Sequence, residues 1–190
     1  ESYQEACAAY DYADLLAFLE TVPEVEAAGR GTLAIGNVAP AERPETGWRQ
    51  LVPVMLDAGA LQTVGAPIIV AGRPADPDVA TEATINEEAS VRLSVGVGDE
   101  LLITPYRSDE FDLAGEGAAA PGGEQTTVTV VGITRRPSDL VGRLGGTSIY
   151  EDTSAVTVGP AWWDQIDGDA SVYGIATAVL TASGSTNEDV

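Results

Sequence analysis

The chain has 190 residues, 44% of them apolar, and carries 30 Asp plus Glu against nine basic residues, all Arg, for a formal net charge of −21. The absence of His and Lys excludes Ser-His-Asp and Cys-His catalysis, His-ligated zinc or haem, Schiff-base chemistry and a Walker-type phosphate loop. So acidic a surface argues against nucleic acid and anionic lipid heads as partners, and its even spread reads as a solvated shell rather than an acidic tail.

Near the start, the lone Cys7 has no partner for an internal disulfide. The preceding Gln4-Glu5-Ala6 lacks the apolar residue of a lipid-attachment site, so a partly buried thiol is expected. Asp11 to Val22 predicts an amphipathic helix, with Leu15, Leu16, Phe18, Leu19 and Val22 on one core-facing side and Pro23 as its stop. Val25 to Ile35 reads as extended, residues 37–49 as a loop, and Leu51 to Leu56 as a short strand. After the turn at Asp57-Ala58-Gly59, Pro67 to Ala71 and Glu82 to Ile85 predict strands. Asn86 is placed to cap a helix through Leu93, with Glu87 and Glu88 in its first turn.

Val95 to Asp99 predicts a turn, and Glu100 to Tyr106 and Thr126 to Ile133 alternate as strands. Between these two, residues 107–124 form a long polar hairpin tip. Strands follow at Thr147 to Tyr150 and Ala155 to Val158, then a short helix from Pro160 to Ile166 with Pro at its first position. The last strand is Ser171 to Thr181. The longest uncharged run, Ala170 to Asn187, holds too many Ser and Thr to cross a membrane as a helix. The abrupt start at Glu1 and the helix-like opening Asn187-Glu188-Asp189-Val190 suggest an excised domain. Many strands with few, separated helices predict an α+β fold.

Little in these residues assembles into catalytic chemistry. Acid clusters such as Asp109/Glu110/Asp112 and Asp164/Asp167/Asp169 miss the spacing of a calcium loop and read as solvated turns. No nucleophile has an evident base. Trp162 and Trp163, about 100° apart on a helix, predict one indole in the core and one at the rim. The residues alone predict a non-catalytic domain with no cofactor and no metal. Two alternatives stay open: a secreted two-carboxylate glycoside hydrolase, motivated by the acid clusters and the Trp pair, and a calcium-dependent surface adhesion module.

One ordered set of motifs goes further. Gly72-Arg73-Pro74, Glu82, Ile85-Asn86-Glu87, Val97-Gly98-Asp99 and Val128 to Gly132-Ile133 follow one another in a spacing that resembles the extracytoplasmic domain of FtsX/MacB-like ABC transporter permeases. Val22-Pro23-Glu24-Val25-Glu26 is similar to another element of that family. The resemblance implies a mixed α/β porter-like lobe, residues 1–50 and 171–190, and a β-rich inserted lobe, residues 51–170. It also implies a place on the outer face of a bacterial cytoplasmic membrane, between transmembrane helices of the same permease. Implied partners are a second permease subunit, a cytoplasmic ABC ATPase and an extracytoplasmic substrate or protein. ATP hydrolysis inside would move the domain outside.

Each motif also has a local physical reading. Gly72 ends a strand, Arg73 pairs with Glu82, and Asn86 caps the helix that Glu87 opens. Gly98-Asp99 reverses the chain, and Gly132 allows a bulge or close approach. As candidate partner surface the residues single out the 107–124 tip, with Asp109 and Phe111, and the Trp162-Trp163 helix.

Overall fold

The computed structural model describes residues 17–19, 21–61, 66–110, 120–135 and 154–181. The expected strand Thr147 to Tyr150, Phe111 and Cys7 lie outside these residues, as does most of the first helix. Residues 17–19 are helical, and the N–H groups of Thr21 and Val22 donate to the Phe18 and Leu19 carbonyls before Pro23. Phe18 is 62% exposed, which corrects its expected place in the core.

Strand β1 runs from Val25 to Pro40. It thus extends through part of the expected 37–49 loop. Tertiary pairing overrides the weak strand preference of Asn37 and Pro40: Val38 is fully buried, with Trp48 beside it on one strand and Ile103 on another. The remaining strands are β2 (Trp48–Met55), β3 (Ile68–Gly72), β4 (Glu82–Asn86), β5 (Glu100–Pro105), β6 (Thr126–Arg135), β7 (Val156–Val158) and β8 (Val172–Thr181). Helix α1 (Glu87–Leu93) follows β4, and α2 (Pro160–Gln165) follows β7.

The pairings close on themselves. β1 pairs antiparallel with β2 and β5, β5 with β6, and β4 with β7. β4 runs parallel to β6, and β7 meets β2 in parallel through Val54 and Val158. The result is a ring, β1-β2-β7-β4-β6-β5, with β3 attached to β6 and β8 to β1. Closing a sheet turns one face of every ring strand inward, which explains the alternation along β5 and β6. Leu101, Ile103, Val128 and Val130 are fully buried, together with Val52, Val54, Ile85, Val156 and Val158 from the other strands. Each such side chain contributes about 1.5–3 kcal/mol by leaving water.

Helix α2 supplies the largest buried side chain, Trp162, whose indole N–H donates to Thr126 Oγ1 at 2.8 Å. Thr126 Oγ1 in turn donates to the Ile103 carbonyl at 3.3 Å. One indole in the core and one half-buried at the rim is the arrangement expected of the Trp pair.

β1 changes partner midway. Residues Val25 to Ala34 pair with β8, and Gly36 to Pro40 pair with β5, both on the edge opposite β2. At the exchange, Ile35 N–H donates to the Ser171 carbonyl at 2.9 Å and Tyr106 N–H to the Ile35 carbonyl at 2.9 Å. Ser171 N–H donates to the Tyr106 carbonyl at 2.7 Å. Residues 50 and 51, where the two expected lobes divide, are consecutive within β2.

Trp162→Ala is expected to cost about 3–5 kcal/mol, the range for emptying a buried aromatic site. Trp162→Phe keeps most of the volume but loses the bond to Thr126, and should cost less. Urea unfolding of both variants checks the order.

Candidate functional site

The family-like motifs gather around the β3–β4 side of the ring. Arg73, just past β3, forms a two-pronged pair with Glu82 at the start of β4: Nη1 donates to Oε2 at 2.7 Å, and Nη2 to Oε1. Asp76 N–H also donates to Glu82 Oε2 at 3.0 Å. The Arg73 guanidinium holds the Glu82 carboxyl below the usual carboxylate range, and Glu82 raises Arg73 in return. Gly72 has φ +74°, and a Cβ there would collide with the Val131 carbonyl oxygen. A Cβ on Gly132 would collide with the Arg73 carbonyl oxygen, and the β4–β6 register shifts between Ala83 and Thr84 beside it. Gly132 therefore serves both a close approach and a register irregularity.

At the far end of β4, the Asn86 side chain is 3% exposed and caps α1, its Oδ1 accepting from Ala89 N–H at 2.9 Å. The same oxygen accepts from Ala155 N–H at 3.0 Å, so it also anchors the approach to β7. Local sequence shows the cap; only the fold shows the second bond. Glu87 forms a second fork, accepting from Arg135 Nε and Nη2 at 2.7 Å each. In the next turn Gly98 takes φ +98°, and Asp99 Oδ2 accepts from Gly96 N–H at 2.8 Å. All eight motif residues thus perform backbone or ion-pair work within the fold.

The candidate partner surface is rearranged by the structure. Trp162 is fully buried and is withdrawn from it, because its indole packs into the hydrophobic core. Trp163 is half-buried, and Gly168 (φ +66°) backs onto its indole. Asp109 is exposed, its Oδ1 3.3 Å from Arg107 Nε.

Sequence reasoning missed the residues that hold the base of the 107–124 tip. Glu110 Oε2 accepts from Arg107 N–H at 2.9 Å and Gly122 N–H at 3.0 Å, bringing the two arms together. Asp169 Oδ1 accepts from the Ser108 N–H at 2.9 Å and its hydroxyl at 2.8 Å. Ser171 Oγ donates to the Arg107 carbonyl. These N–H groups hold the Glu110 and Asp169 carboxyls below their ordinary range. Asp169 thereby fixes the loop at Ser108. Among the described residues no cluster of acids and Cys is arranged to hold a metal. No signal in the sequence could have linked Ser108 to Asp169, 61 residues away.

No family model matches the chain, and no curated protein sequence does. Solved structures do match its fold. The extracellular domain of the noncanonical ABC-type transporter YknZ from Gram-positive bacteria superposes with a TM-score of 0.54 at 12% identity, covering 90% of this chain and 73% of that one. The periplasmic region of MacB from Actinobacillus actinomycetemcomitans gives 0.58 at 9% identity, covering 98% of this chain and 73% of that one. A domain assigned to a permease protein of Porphyromonas gingivalis gives 0.53 at 14% identity, covering 90% and 67%. The chain therefore has the mixed α/β fold of the MacB periplasmic region, as the resemblance implied. No helix among the described residues is long and apolar enough to cross a membrane.

Asn86→Ala removes a cap and leaves the Ala155 N–H without its carboxamide partner, and is expected to cost about 1–3 kcal/mol in chemical unfolding. Glu110 is held below its unfolded value of about 4, so its stabilisation is present above that pH and lost as the pH falls through the lower folded value. The melting-temperature deficit of Glu110→Gln should accordingly be full at neutral pH and shrink in acid. A deficit independent of pH would contradict the clamp.

Proposed function

We propose that this chain is a non-catalytic extracytoplasmic domain of an ABC transporter permease, coupling movement of the membrane-embedded part to an external substrate or partner. The observation that carries this reading is the pairing of the two outermost described strands. Val25 on β1 lies opposite Thr181 on β8, so the polypeptide enters and leaves the ring side by side. A domain inserted between two membrane segments needs its two connections at one point. The fold likeness to extracellular and periplasmic domains of such permeases supports the same reading.

The physical route follows the long strand. A displacement at the Val25–Thr181 end would pass along the β1–β8 ladder to the exchange at Ile35, Tyr106 and Ser171. There it would meet β5 and the base of the 107–124 tip, which hangs from Ser108, Glu110 and Asp169. In this reading β1 lies in the porter-like lobe, residues 1–50 and 171–190, and pairs with β5 of the β-rich lobe, residues 51–170. The second permease subunit and the cytoplasmic ATPase would act through the membrane-spanning part, and the charge of −21 would keep the domain solvated away from anionic lipid heads.

The test uses the full-length parent protein with its ATPase in proteoliposomes. Flexible Gly-Ser segments inserted before Val25 and after Thr181 should leave basal ATP hydrolysis intact but uncouple it from the external event. Spin labels on the ring and on the lipid-facing part should lose their nucleotide-dependent distance change. An unaltered distance change would contradict the proposed route, and a parent protein without flanking membrane segments would remove the reading.

A further inference from the structure

Five large apolar side chains among the described residues are strongly exposed: Phe18, Ile68, Val70, Val91 and Val97. Three belong to one neighbourhood. Ile68 (67% exposed) and Val70 (46%) lie on β3, and Val97 (48%) stands against its end, its Cγ2 3.0 Å from where a Gly72 Cβ would be. The turn carrying Val97 is tied to β6 next to β3, because Gly98 N–H donates to the Val130 carbonyl at 2.8 Å while Gly72 pairs with Gly132. Exposed single valines are ordinary; three β-branched side chains in one neighbourhood are not.

The surroundings are built. Arg73, beyond one end of β3, is forked to Glu82, and Arg135, opposite Ile68 at the other end, is forked to Glu87. Two of the nine Arg are thus spent neutralising acids at both ends of the strip, in a chain where acids outnumber bases 30 to 9. The strip is locally neutral and held by β6. Beyond its Gly72 and Val97 end, Asp76, Asp78 and Asp99 are exposed on the adjoining turns and Glu100 at the start of β5.

We propose that this strip is a docking surface for an extended segment of another protein that presents apolar residues beside a Lys- or Arg-bearing flank. The acidic turns at the Gly72 end complement that basic flank, and the neutral apolar strip lets the segment dock without burying an unpaired charge. A second copy of this chain fits poorly, since two bodies of charge −21 repel. Edge-to-edge strand pairing is also blunted. β3 carries a register irregularity between Ile69 and Ala71, and Pro67 and Pro74 flank it, so recognition runs through side chains rather than a long ladder. The surface is independent of the permease assignment.

Fluorescence anisotropy with a labelled Lys-Lys-Val-Thr-Val-Thr-Val-Lys-Lys peptide tests it. The full chain should bind this probe at low salt and more weakly as salt rises. Replacing its Val by Ser, or its Lys by Glu, should weaken binding at least about tenfold. The variant Ile68→Ser/Val70→Ser/Val97→Ser, which leaves net charge unchanged, should lose a similar factor, whereas Val91→Ser should bind as the parent does. Should the triple variant fail to fold, Val97→Ser in the turn replaces it. No binding, equal binding of the Val and Ser peptides, or full binding by a folded triple variant overturns the proposal. Self-association in sedimentation that the same changes abolish would instead make a second copy the occupant, and overturns it too.

Discussion

Everything in this structure depends on one strand having to satisfy three partners. β1 offers one edge to β2 and divides the other between β8 and β5, so the ring and the terminal ladder share a backbone. A backbone edge cannot be left unpaired in a buried setting without a cost of about 1–3 kcal/mol per group. The exchange is therefore bridged by hydrogen bonds among Ile35, Tyr106 and Ser171. In the proposed role, this hydrogen-bonded junction would pass a movement of the ladder on to the ring. The proposed coupling role rests on that linkage.

The charge distribution follows a similar economy of place. Most acids among the described residues are exposed, but a few are given specific tasks. Glu82 and Glu87 bracket β4 and hold two Arg from neighbouring segments, while Glu110 and Asp169 accept backbone N–H groups at the base of a loop. These groups look alike in composition and differ wholly in function. Exposed carboxylates contribute little individually to stability, yet each of these fixes where a chain segment turns.

The two candidate surfaces have different physical characters. The base of the 107–124 segment is held by the Glu110 carboxylate, while the β3 strip is apolar and paired to β6. Trp163 adds a half-buried aromatic beside the positive-φ turn at Asp167 and Gly168. In the proposed role of an extracytoplasmic permease domain, such surfaces would carry the recognition of a partner.

The sequence by itself determined the local elements and devices. Alternation set β5 and β6, the Asn86 cap and Pro160 marked the two helices, and the Arg73–Glu82 pair and the glycine turns were legible from residue type and spacing. The order of its motifs was also enough to point to the fold. Tertiary structure alone decided the rest. The run of β1 to Pro40, the closure at Val54 and Val158, and the contacts Ser108–Asp169 and Asn86–Ala155 join residues far apart in the chain. Which Trp is buried, and which apolar strand stays in water, depends on what packs against each face. Periodicity reports that a face is apolar, but whether another element covers it is settled only when the sheet closes.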